Sequence, residues 1–348
     1  MRELRTEEEI IQNWKGDLNK PVVSVCCITY NHELYIEDAL EGFLIQETDF
    51  PFEILIHDDA STDRTADIIR EYEAKYPKLI KPIYQVENQY SKGYTMNPTF
   101  NFPRAQGEFI ALCEGDDYWT DAEKLQVQVG LLSRYFKLNI SIHPAEMDDV
   151  VNNHKTIKYY HGNEEKILNG FDAIASLSQF APTASYLFRS RALKDMPEWF
   201  FKEKLPFGDY FIEAIIGKNG LAYLPKTMSV YRRNVSGSYT INTKKMTNDK
   251  VIERFEQVIH LTKMMKQMRD IPGEAVDLRI KNIHCDYLNM ALYRKSYPLY
   301  QSIYNHAYKN NILLKLRYSV PSKNRLYFYT YIYFYSFLTS VKNILRKP

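Results

Sequence analysis

Four cysteines in 348 residues are too few and too scattered for a disulfide framework or a zinc module. Cys26, Cys27 and Cys113 fall in apolar runs that read as buried strands, Cys285 falls in a helical segment, and no pair has zinc-like spacing. Adjacent Cys26 and Cys27 point to opposite faces of a strand, which argues against a bridge between them. Reduced thiols in a cytoplasmic protein are the simplest account. Long apolar runs are also missing, since none reaches the about 18–20 residues of a membrane span. The first residues carry three consecutive glutamates, Glu7 to Glu9, and lack the apolar core of a signal peptide. A net charge of +2 leaves little bulk attraction for nucleic acid, so no nucleic-acid partner is expected.

What is present is a globular composition, 45% hydrophobic and 25% charged, with length for one large or two ordinary domains. Residues 6–18 read as an amphipathic helix carrying Ile10, Ile11 and Trp14. Val22 to Ile28 is an apolar, β-branched run of strand length, as a strand buried on both faces should be. It ends at Thr29-Tyr30-Asn31-His32 and is followed by helical spacing at Ile36, Leu40, Phe43 and Leu44. Phe52 to Ile56 is a second strand, ending at His57-Asp58-Asp59, with Ser61 or Thr62 placed to cap a helix. Leu79 to Tyr84 is a third strand, and Phe109 to Leu112 a fourth. Strands alternating with helices predict a doubly wound, mostly parallel sheet, which places the strand ends on one edge.

The fourth run opens directly onto Cys113-Glu114-Gly115-Asp116-Asp117-Tyr118-Trp119. Ligands of open α/β sheets bind at the carboxyl ends of strands. Close carboxylates repel unless a cation or protons neutralise them, and an all-oxygen set of this kind suits Mg²⁺ or Mn²⁺ completed by substrate phosphates. The plainer alternative is a solvated acidic turn. Asp58-Asp59 should line the same edge. A nucleotide base at one acidic pair and a metal diphosphate at the other would satisfy both, and Tyr30 could stack on the base. His154 and His161 read as isolated surface histidines rather than metal ligands.

Val23-Ser24-Val25 with Thr29-Tyr30-Asn31, Ile56 to Asp63, and Glu114 to Trp119 resemble family 2 glycosyltransferases of the GT-A fold, over about residues 20–240. The resemblance implies an inverting enzyme that uses a nucleotide-sugar, commonly a UDP-sugar, with a divalent metal. It implies that Asp59 accepts from the base with Asp58 beside it and Tyr30 packed on it. It implies also that Asp116 and Asp117 bind the metal, with Glu114 standing where many members carry another Asp. Asp209, in Phe207-Gly208-Asp209-Tyr210, matches the family's general base, although from the residues alone a helix cap is the preferred explanation. Arg232 could offset diphosphate charge, and a surface arginine pair is its alternative. Two positions depart from the pattern: Asn234 replaces a frequent His, and Met96 a frequent Arg.

The expected organisation is an N-terminal helix (1–20), a GT-A domain (21–240) and a C-terminal helical region (241–348). The last ends in an aromatic segment flanked by Lys and Arg, which could lie on a membrane surface through residues 325–347 or pack in the domain or a homodimer. The implied acceptor is a glycan or lipid-linked glycan in bacterial surface polysaccharide assembly, at the inner face of the membrane. Two rivals remain. A non-catalytic nucleotide- or glycan-binding scaffold draws on Asn234 and Met96. A nucleotidyltransferase would need a Gly-rich, basic loop after the first strand, which Thr29-Tyr30-Asn31-His32 is not.

Overall fold

The computed structural model describes residues 4–177, 179–235, 245–314 and 316–332. The chain divides into two compact units, Met1–Ile174 with Ser178–Lys245, and Ala175–Leu177 with Met246–Pro348.

The first unit is built on two sheets. Their strands are β1 Val23–Thr29, β2 Phe52–Asp58, β3 Ile80–Tyr84, β4 Phe109–Leu112, β5 Tyr118–Trp119, β6 Ile140–Ile142, β7 Ala145–Asp149, β8 His154–Lys158, β9 Lys166–Leu168, β10 Leu187–Arg189, β11 Leu221–Tyr223 and β12 Ser229–Arg233. The larger sheet has the order β3-β2-β1-β4-β10-β6-β11-β9, and the smaller β5-β12-β7-β8. Strands β3, β2, β1 and β4 are mutually parallel, whereas β10 runs antiparallel to both β4 and β6. The chain winds outward from β1 to β2 and β3, then returns to place β4 on the other side of β1. That reversal makes the carboxyl ends of β1 and β4 a topological switch point, the place where doubly wound sheets bind ligands.

Helices α1 Glu7–Ile11, α2 Ile36–Leu44, α3 Thr65–Lys75, α4 Lys124–Arg134, α5 Gly170–Ala175, α6 Glu198–Lys202 and α7 Gly208–Phe211 complete the unit. Val23, Val25, Cys27, Ile54, Ile56 and Ala111 of the sheet are buried in one cluster with Ile36, Leu40 and Phe43 of α2 and Leu125, Leu131 and Leu132 of α4. The N-terminal helix is shorter than its sequence suggests. Thr6 and Glu9 form a capping box, but Trp14 leaves the helical path to meet Phe52 edge-on and donate Nε1–H to Thr48. The segment before β4 is a π-helical turn at Asn97–Asn101 followed by a 3₁₀ turn at Phe102–Arg104.

The second unit contains α8 Asn248–Met265, α9 Gly273–Tyr293, α10 Tyr297–Lys309 and α11 Leu316–Ser322, with residues 325–332 also helical. Phe255, Ile283, Leu288, Leu299, Tyr300 and Ile303 are among its buried residues. Of the aromatic segment, Phe328 is buried and meets Tyr297 and Tyr300 edge-on, while Leu326, Tyr327 and Tyr329 are exposed. Residues 333–347 of that segment lie outside the described residues, as do Ser236, Gly237 and Ser238. Among the described residues no helix is long and apolar enough to cross a membrane.

Candidate active site

Backbone hydrogen bonds tie three strand ends together. Gly115 N–H donates to the Ile28 carbonyl (2.9 Å) and Asp59 N–H to the Thr29 carbonyl (3.0 Å), so the acidic turn after β4 and the Asp58-Asp59 pair after β2 flank the end of β1. A Cβ at position 115 would lie 2.6 Å from Thr29 Oγ1 and 2.8 Å from Thr29 Cβ, which is why glycine stands there. The loops after β1 and β2 are zipped by side chains. Asn31, at φ 56°, donates its N–H to Ser61 Oγ (2.9 Å) and accepts from Thr62 N–H (2.8 Å). His32 N–H donates to Thr65 Oγ1 (2.7 Å).

On this edge the two acidic pairs differ. Asp58 accepts from the N–H and hydroxyl of Ser61, an Asx-type turn that leads into α3. Asp59 accepts from Gln89 N–H (2.7 Å) and Tyr90 N–H (3.1 Å). Both carboxyls are raised by burial despite these donors. A carboxylate has about four acceptor positions, so Asp59 keeps capacity for a further donor. Tyr30 follows Thr29 at the end of β1 and stands 43% exposed.

In the acidic turn Asp117 is buried. Its Oδ1 accepts Arg232 N–H (2.8 Å), while its Oδ2 is buried with no hydrogen-bond partner. Burial first, then the charges of Asp116 and Glu114, push its carboxyl well up; Glu114 is raised by burial, Asp116 and Asp209 in that order. Asp209 is therefore close enough to act on Glu114, although the two are remote in sequence. Among the described residues no three His, Cys, Asp or Glu side chains gather closely enough to hold an ion unaided. The donor chemistry nonetheless fits a hard divalent cation whose shell is shared with a diphosphate: a buried carboxylate oxygen without a partner, among carboxyls that repel.

Asp209 lies in the first turn of α7. Its Oδ1 accepts from Tyr210 N–H (2.7 Å) and its Oδ2 from the Gln179 side-chain amide. Arg232 is held by its surroundings. Its guanidinium donates to the Asp116 carbonyl (3.1 Å) and pairs with Asp38, and it lies between the rings of Tyr35 (5.1 Å) and Tyr118 (4.4 Å). Asn234, at φ 64°, donates its amide to Asp149 Oδ1 (3.0 Å), and Met96 is buried.

Sequence reasoning missed several neighbours. Tyr159 has a positive φ of 59°, uncommon for a bulky residue. Its hydroxyl is pushed up to about 12 by burial and by Glu213, Asp209 and Asp117. Tyr231 is raised by burial and then by Asp117 and Glu114. Alternation along Met228 to Arg232 could have singled out Tyr231, whereas nothing in the sequence marks Tyr159. His161, read as an isolated surface histidine, instead stacks on Phe180 (5.4 Å) and meets Tyr223 edge-on, because this half of the unit packs through aromatic contacts.

The family model described as Glycosyl transferase family 2 matches residues 24–239. An uncharacterised protein of Mycobacterium tuberculosis is 37% identical over 224 residues, 62% of this chain and 60% of that protein. The Bacillus subtilis protein named as teichuronic acid biosynthesis glycosyltransferase TuaG is 38% identical over 117 residues, 34% of this chain and 42% of its own. The chain thus spans no more than about 60% of the length of these relatives. Among solved structures, S. aureus TarS in complex with UDP-GlcNAc superposes with a TM-score of 0.58 at 20% identity, covering 76% of this chain and 73% of that one. The α/β architecture, with its mostly parallel sheet, is the GT-A fold.

Proposed function

Since the chain belongs to glycosyl transferase family 2, we propose that it transfers a sugar from a UDP-sugar to an acceptor hydroxyl with inversion at the anomeric carbon. Asp209 takes the acceptor proton as the acceptor oxygen bonds to the anomeric carbon. The bond from that carbon to the diphosphate breaks on the opposite face, and nucleoside diphosphate leaves. The observation that carries this reading is the backbone tie of the acidic turn and of Asp59 to the end of β1, with Asp117 Oδ2 buried there without a hydrogen-bond partner and Asp209 near enough to raise Glu114.

Asp59, with Asp58 beside it, accepts from the nucleotide base, and Tyr30 packs on the base. Asp116 and Asp117, with Glu114, would hold Mg²⁺ or Mn²⁺, which would neutralise charge on the leaving diphosphate. Arg232 adds positive charge beside Asp116. TarS binding UDP-GlcNAc supports a UDP-sugar donor. The name of TuaG supports a glycan or lipid-linked glycan acceptor in surface polysaccharide assembly, with the described residues 325–332 facing the inner side of the membrane.

Incubation with a panel of UDP- and GDP-sugars, with and without Mn²⁺, tests the reading. Release of free nucleoside diphosphate from a UDP-sugar, raised by Mn²⁺, is expected. Binding without release would instead favour a scaffold, the reading that draws on the commitment of Asn234 to Asp149.

A further inference from the structure

Directly after α7 the chain widens into a π-helical turn, Ile212–Ile216, and Glu213 is its second residue. Such turns recur at functional sites. Glu213 is 1% exposed, yet it lies in no ion pair among those described; its partners are backbone and hydroxyl donors. Its Oε1 accepts from Phe180 N–H (3.0 Å), Ala181 N–H (3.0 Å) and Tyr186 Oη–H (2.7 Å), and its Oε2 from Phe180 N–H (3.0 Å). The residue before Phe180 is Gln179, whose amide donates to Asp209. Two acidic residues four apart on one helix face thus both take hydrogen bonds from the segment 179–181.

We propose that Glu213 is a positioning residue for transfer: it fixes the backbone of Phe180 and Ala181, so that Gln179 holds the Asp209 carboxylate toward the acceptor. The inference rests on Asp209 being the base. Neither Glu213 nor Gln179 touches the reacting atoms; each acts through Asp209. A carboxylate accepting from a tethered amide loses rotational freedom, and a proton acceptor misplaced by about 1 Å can cost about a hundredfold in rate. Burial pushes the Glu213 carboxyl up to about 8 against the pull of its donors. Near neutrality the side chain is therefore largely uncharged and glutamine is its close mimic. The three donors converging on Oε1 can all be met by a glutamine oxygen, but truncation to alanine leaves them buried and unpaired.

The test compares Glu213→Ala, Glu213→Gln, Gln179→Ala and Asp209→Asn in the full chain, by kcat and donor KM on the UDP-sugar turned over in the panel. Gln179→Ala removes the amide with little disturbance to the core and keeps the test open where Glu213→Ala fails to fold. The expected result is kcat about ten- to a hundredfold lower in Gln179→Ala and Glu213→Ala, with donor KM within about twofold of the parent. Glu213→Gln should recover most of the loss. Parental kcat in Gln179→Ala, beside an inactive Asp209→Asn, would overturn the positioning role alone. So would a loss that falls on donor KM, or a Glu213→Gln no better than Glu213→Ala. Transfer retained by Asp209→Asn would overturn the base assignment itself, and the positioning role with it.

Discussion

Asp117 carries the strongest single sign of a missing partner. A buried carboxylate oxygen without a hydrogen bond costs about 1–3 kcal/mol or more, and here the neighbouring charges of Asp116 and Glu114 add to the cost. A site under that strain is at ease only with a cation or protons present. Asp209 differs, since each of its oxygens accepts a hydrogen bond, from Tyr210 N–H and from the Gln179 amide. Asp209→Asn is expected to lower kcat by about 10²–10⁴-fold while donor affinity, read by titration with the nucleotide-sugar, stays near the parent value. Equal loss of affinity would assign Asp209 to donor binding. The residues legible in the sequence were those fixed by local position: Asp59 and Asp116-Asp117 after apolar strands, and Asp209 at a helix start. Glu213, Gln179 and Tyr159 were not legible, because their roles exist only through contacts made across the fold.

At the level of elements, the site depends on how closely the turn after β4 approaches β1. Gly115 allows that approach. In Gly115→Ala the new Cβ would press on Thr29, which is itself buried and bonded through Oγ1 to His32 Nδ1 (3.2 Å). The expected cost is about 1–3 kcal/mol of stability, read as a lower melting temperature, together with weaker donor binding because Asp116 and Asp117 shift with the turn. An unchanged melting temperature would show that the turn has room to spare. The parallel strands β1, β2 and β4 were readable because burial on both faces demands largely apolar runs. Strands β7 and β8 were not, since Ala145–Asp149 and His154–Lys158 are largely polar and only partly buried. They form because pairing with β12 and with each other satisfies their backbones. Strand β5 is only Tyr118–Trp119, too short for any periodicity.

For the molecule as a whole, the first unit holds every residue assigned to donor or acceptor, and the second is a helical unit with its own buried core. In the second, Phe328 is used internally while Leu326, Tyr327 and Tyr329 face outward beside Lys323 and Arg325. An aromatic, basic face of this kind suits the headgroup layer of an anionic bilayer. Co-sedimentation with vesicles containing anionic lipid should exceed that with neutral vesicles and fall in high salt; equal sedimentation would assign the face to protein contacts. The most direct measurement of the central claim is a structure with the nucleotide-sugar and Mn²⁺ bound. The base is expected beside Tyr30 and Asp59, the diphosphate at Asp116 and Asp117, and the anomeric carbon turned toward Asp209. A donor seated elsewhere, or a sugar directed away from Asp209, would contradict it.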